Sequence, residues 1–156
     1  MRKSIIILVA MLTACGLALP RVGAHEGHEH FSAGEPGDPK KPARTIQVSM
    51  REDGKKMLYE PSRIEVRQGE QIRFVISNDG IYNHEFMLAT IPENRKHAEL
   101  MKKFPDMEHT EPNATRLAVS QHGELLWKFT KAGEFEYACL IPGHYEAGMH
   151  GKITVK

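Results

Sequence analysis

Tyr137-Ala138-Cys139-Leu140-Ile141-Pro142-Gly143-His144-Tyr145-Glu146-Ala147-Gly148-Met149, close to the C-terminus, is the stretch on which the reading of this chain turns. It spaces a cysteine, a histidine and a methionine as C-x4-H-x4-M. A thiolate, an imidazole and a thioether on one short loop are the ligand types of a type 1 copper site. Such a site needs a second imidazole from elsewhere, and Asn83-His84-Glu85-Phe86 offers one. Two imidazoles and a thiolate in a near-trigonal plane, with a weak thioether above, suit both Cu(I) and Cu(II), so little has to move when an electron arrives.

Working outward, the residues around the loop read as strands. Glu134 to Ala138 leads into Cys139, Pro142-Gly143 turns the chain back, Gly148 allows a second bend, and Lys152 to Val155 leaves as a final strand. Period-2 patterning also marks Thr45 to Met50, Arg63 to Arg67, Gln71 to Asn78, His84 to Ala89, Leu117 to Ser120 and Leu125 to Thr130. Turn signals at Asp53-Gly54, Gln68-Gly69, Asp79-Gly80, His122-Gly123 and Ala132-Gly133 separate most of them. About eight short strands predict an all-β domain, a two-sheet sandwich. Pro92 to Phe104 breaks the alternation: Pro92 can open a helix, Ala98, Leu100, Met101 and Phe104 can supply its buried side, and Pro105 ends it. One short helix is therefore expected in an insertion. Asn113-Ala114-Thr115 fits a glycosylation sequon but is expected to be a plain surface turn.

The N-terminus has a different character. Arg2 and Lys3 precede the apolar run Ile5 to Leu19, and Val22-Gly23-Ala24 offers a small-residue cleavage site, so residues 1–24 are expected to be a signal peptide for export to the periplasm. A run of ~15 apolar residues is short for a membrane span. Leu12-Thr13-Ala14-Cys15 resembles a lipobox, which would make Cys15 a lipid anchor, but Gly16 to Leu19 stays apolar and favours cleavage after Ala24. That cleavage removes Arg2, Lys3 and Arg21 and no acid, so the 21 basic and 20 acidic residues become 18 and 20. The near-balance argues against a nucleic-acid partner driven by counterion release. The mature chain then has one cysteine, Cys139, which cannot form an internal disulfide.

Residues 25–42 carry Gly27, Gly34, Gly37, Pro36, Pro39 and Pro42 and no aliphatic side chain larger than Ala33, so a disordered tail is expected, with the compact domain over 43–156. Within that tail His25, His28 and His30, with Glu26 and Glu29, form a candidate secondary metal site able to capture an additional copper ion. Met101, Met107, His97 and His109 could in principle form a thioether-rich Cu(I) site, but a helical methionine is ordinarily core, and that is the reading taken.

The run Tyr-x-Cys-x-x-Pro-Gly-His-x-x-x-Gly-Met-x-Gly-x-Ile-Thr-Val resembles the C-terminal signature of the cupredoxin family, with a Cys-to-His gap closer to rusticyanin than to plastocyanin. The resemblance covers nearly all of 43–156. It implies a Greek-key β-sandwich, one type 1 copper held by His84, Cys139, His144 and Met149, and a hydrogen-bonding role for Asn83 in tying the two ligand loops together. His150 adjoins Met149, but the Gly-Met-x-Gly pattern favours Met149. Zinc would find a thioether a poor fourth ligand. A binuclear CuA centre needs a second cysteine on the loop, and a multicopper oxidase places histidines beside the cysteine, where this chain has Ala138 and Leu140. Nucleophilic catalysis by Cys139 and His144 lacks a visible orienting group or oxyanion donor. The resemblance thus implies a copper-binding, non-enzymatic protein, expected to be a monomer. It would serve copper tolerance alongside copper-handling proteins or, alternatively, carry electrons to a redox partner protein.

Overall fold

A computed structural model describes residues 31–105 and 111–156. The strands run in chain order as β1 (Glu35–Pro36), β2 (Arg44–Asp53), β3 (Lys56–Glu60), β4 (Arg63–Val66), β5 (Gln71–Asn78), β6 (His84–Ala89), β7 (Ala114–Leu117), β8 (His122–Lys128), β9 (Gly133–Ala138) and β10 (His150–Val155); the helix α1 (Ile91–Lys103) lies between β6 and β7. They form two five-stranded sheets, ordered β1-β8-β5-β2-β3 and β4-β10-β9-β6-β7. The all-β sandwich with one helix is as expected.

Alternation explains the strands best where one face is buried. Along β5, Ile72, Phe74, Ile76 and Asn78 point inward while Arg73, Val75 and Ser77 are partly exposed. Val48 and Met50 of β2 and Leu125 and Trp127 of β8 add to the same layer. Phe86, Tyr137 and Ile153 answer from the other sheet. Phe86 stacks on Tyr137 at 5.1 Å and meets Phe74 at 5.3 Å, joining the two layers. Tyr59, fully enclosed, donates a hydrogen bond from its hydroxyl to the Glu85 carbonyl and so pins the start of β6.

Three expectations are corrected. Residues 31–42 are not a free tail: Ala33 is buried, Phe31 packs edge-on against Trp127 at 5.4 Å, the Trp127 indole N–H donates to the Ala33 carbonyl, and β1 pairs with β8. An aromatic residue and one small side chain fill a niche beside Trp127, which the scarcity of aliphatics concealed. Residues 1–30, including the expected signal peptide and His25, His28 and His30, lie outside the described residues, as do Met107 and His109. Second, β3 and β1 are additional strands, β7 is Ala114–Leu117 rather than Leu117 to Ser120, and His122-Gly123 opens β8 instead of turning. Third, Asn113 is not a surface turn; it is buried, and its amide donates to the Leu88 carbonyl at 2.8 Å.

Helix α1 begins where sequence placed it. The Glu93 carboxylate accepts from the Thr90 N–H at 3.0 Å and the Thr90 hydroxyl at 2.7 Å, and Pro92 sits in the first turn. Its Met101 is fully buried with Met87, Ala138 and Leu140 in a small second core, against which Ala98, Ile141 and Tyr145 also pack. The insertion therefore braces the flank of the segment just after Cys139, and Met101 is core.

Candidate metal centre

The site lies at one pole of the sandwich. Cys139 immediately follows β9, His84 opens β6, and residues 141–149 loop between β9 and β10. The loop is a run of tight turns: His144 N–H donates to Ile141 O, Ala147 N–H to Gly143 O, Gly148 N–H to Tyr145 O and Met149 N–H to His144 O, all within 3.1 Å. Gly143 and Gly148 adopt φ of 91° and 102°, the left-handed region that side chains disfavour. The loop is closed by Cys139 N–H donating to Met149 O and tied to the other sheet by Met57 N–H donating to Ala147 O. Outside, the Tyr145 hydroxyl donates to Glu136 Oε1 at 3.0 Å and its ring stacks on His150 at 4.8 Å. Asn94 of α1 donates to the other oxygen of the same carboxylate at 3.1 Å.

These constraints bring three side chains together across the sheet. One donor atom from each of His84, Cys139 and His144 lies within 4.8 Å of the others. His84 Nδ1 is 3.2 Å from His144 Nδ1, which is 3.3 Å from Cys139 Sγ. His84, Cys139 and Met149 are fully buried, and His144 is half-buried with Tyr82 edge-on to its ring at 6.3 Å. Met149 joins Cys139 in the core, while His150 is exposed. Asn83 is not the tie between the loops: its side chain is exposed, and the link is the Glu85 backbone N–H, which donates to Cys139 Sγ at 3.3 Å. Asn78, fully buried, shapes the approach to His84 by donating to Tyr82 O and Leu117 O and accepting from Gly80 N–H.

Two carboxylates escaped the sequence reading. Glu52 Oε1 accepts from His84 Nε2 at 2.7 Å, and Glu52 Oε2 accepts from Ile81 N–H at 2.9 Å. Burial pushes the Glu52 carboxyl up, but these hydrogen bonds outweigh it and leave it below its ordinary value. Glu85 is buried next to His84 and in contact with Cys139, with Arg116 at 3.9 Å from its Oε1. The only available signals were the position of Glu52 beside the Asp53-Gly54 turn, at the same pole as His84, and an acid inside an otherwise apolar strand at Glu85.

Donor chemistry favours a soft, thiophilic ion: one thiol, two imidazoles and an adjacent buried methionine make a poor cage for a hard cation. Burial pushes the Cys139 thiol up to about 12, and burial lowers His144. The metal-free thiol is thus protonated at neutral pH, while His144 is neutral there. A metal must expel the thiol proton to bind sulfur. Because the thiol stays protonated up to about pH 12, Cys139 is expected to release one proton per ion bound between pH 7 and 9. Apparent affinity should then rise roughly tenfold per pH unit from this group alone. Calorimetry in buffers of different ionisation enthalpy reads the proton count; no release from the wild type would contradict sulfur ligation.

Residues 46–156 match the model of copper-binding proteins of the plastocyanin/azurin family. The chain is similar to the copper-resistant cuproprotein CopI of Rubrivivax gelatinosus, at 43% identity over 99% of both chains. It is also similar to the protein of the same name from Pseudomonas aeruginosa, at 30% identity over 98% of this chain and 94% of that one. Among solved structures, auracyanin B shares the fold with a TM-score of 0.65 and 21% identity, covering 80% of this chain and 96% of its own.

Proposed function

This chain belongs to the plastocyanin/azurin family of copper-binding proteins, and on that premise we propose that it is an exported protein that holds one type 1 copper ion on His84, Cys139, His144 and Met149 and serves periplasmic copper tolerance. The observation that carries the reading is the cluster of one thiol and two imidazoles within 4.8 Å at the end of a buried β-sandwich. Copper bound there supplies one-electron Cu(I)/Cu(II) chemistry. The chain's own part is to hold the donors in place: Glu85 N–H fixes the sulfur, and the turns of residues 141–149 present His144. Relatives named for copper resistance match this chain over nearly its whole length, which supports tolerance as the role.

A non-enzymatic protein fits the flanks of the cysteine: Ala138 and Leu140 give no histidine route to further copper ions. Export follows from residues 1–24, with lipidation at Cys15 as the alternative processing. His25, His28 and His30 would capture a further copper ion before it reaches the domain. Among the described residues no helix is long and apolar enough to cross a membrane.

A second reading, a carrier serving a redox partner protein, draws on one observation. Tyr82, exposed, lies edge-on to half-buried His144, next to exposed Ile81 in the chain, and exposed Pro142 is on the His144 loop. Deleting the gene separates the two. Copper tolerance predicts growth failing at a several-fold lower copper concentration, with respiratory electron flux unchanged and growth restored by the wild-type gene but not by His84→Ala. A deletion strain that tolerates copper normally and respires poorly would replace the first reading with the second.

A further inference from the structure

Glu52 reaches His84 from the opposite sheet, across a gap that the chain keeps clear for it. Glu52 lies near the end of β2, and His84 begins β6. A Cβ at the buried Gly80 would fall 2.5 to 2.9 Å from three atoms of the Glu52 carboxyl group, so the absence of a side chain there leaves the carboxylate its place. Both oxygens are engaged, one by the ring of His84 and one by the backbone of Ile81. An ionised carboxylate can only accept a hydrogen bond, so the proton lies on Nε2, and in the neutral ring Nδ1 carries the lone pair. Nδ1 is the nitrogen that faces His144, 3.2 Å away.

We propose that Glu52 is a positioning residue that holds His84 in the tautomer and orientation the metal requires and, by its charge, biases the centre toward Cu(II) over Cu(I). A carboxylate hydrogen-bonded to a ligand imidazole fixes the ring and raises its donor strength. Its negative charge also stabilises the ion bearing one more positive charge, and screening is weak because His84 is fully buried and the Glu52 side chain is only 13% exposed. This inference rests on the copper reading above, so its test has one arm without metal.

In the metal-free wild type, nitrogen-15 NMR of the imidazoles should show His84 protonated at Nε2, with that proton exchanging slowly. E52Q keeps an acceptor of the same shape but removes the charge. It should preserve the tautomer while lowering the Cu(II)-to-Cu(I) affinity ratio about tenfold, a positive shift in potential of about 59 mV for one electron. G80A, which displaces the carboxylate without altering it, should speed exchange of the Nε2 proton and move the ratio in the same direction. A Glu52 with only a structural role would lower the melting temperature in E52Q and leave the ratio within twofold of wild type, and that result overturns the charge bias. An Nδ1-protonated His84 in the wild type overturns the positioning role. If the wild type takes up no copper, the copper reading fails by itself, and the proton data still judge the hold of Glu52 on His84.

Discussion

Cys139→Ser should yield a folded protein whose Cu(II) form has lost its strong visible absorption, with copper affinity reduced more than about 100-fold. Residues that merely orient metal ligands typically cost 10–100-fold when changed, and removal of the thiolate itself takes away the strongest donor of the set. The colour belongs to the sulfur–copper bond, which a hydroxyl does not reproduce. Serine is slightly smaller than cysteine and can accept the Glu85 N–H that now points at the sulfur. The fold should therefore survive, with a melting temperature within a few degrees of the metal-free wild type. Optical titration with Cu(II) and competition with a chelator measure both quantities. A Cys139→Ser protein that keeps its colour would show that the ion sits elsewhere.

The largest loss of stability should come from Trp127→Ala, about 3–5 kcal/mol. Trp127 is fully buried, pairs with Ile72 across the sheet, and carries Phe31 on its ring and the Ala33 carbonyl on its indole N–H. Truncation therefore empties the core and unfastens the segment that contains β1 in one step. Chemical unfolding in urea reads the cost as a lowered midpoint. Phe31→Ala removes only the outer part of the clamp and should cost less than half as much. Trp127 is near the end of β8, and His84, Cys139 and His144 gather at the opposite pole, beyond His122 at its start. The folded fraction of either variant should keep the wild-type visible spectrum.

How much was legible follows from the range of each interaction. The loop of residues 137–149 could be read because three donors and two turn glycines lie within thirteen consecutive positions. β5 and β6 could be read because a half-buried or buried strand writes its burial into its composition. β3 could not: Met57, Leu58 and Tyr59 are apolar in succession, and only Tyr59 is fully enclosed, so no alternation marks it. Two-residue β1 has no pattern at all and exists because Trp127 offers it a surface. Glu52 is the instructive omission. At the polar end of an alternating strand it looks like a solvated acid, and its partner is 32 positions away on the other sheet. Asn83 fails in the opposite sense. The family resemblance implied a role for it that the backbone of Glu85 performs instead. A backbone donor leaves no trace in residue identity.

Of the residues His84, Cys139, His144 and Met149, three are sealed from water and only the ring of His144 has an open edge. Among the described residues that edge is the one open approach to the group, so copper and a redox partner would share it. A protein docked over the ring to exchange an electron would also shut the way by which the ion leaves. On the proposed reading, delivery of the metal and passage of charge would have to take turns.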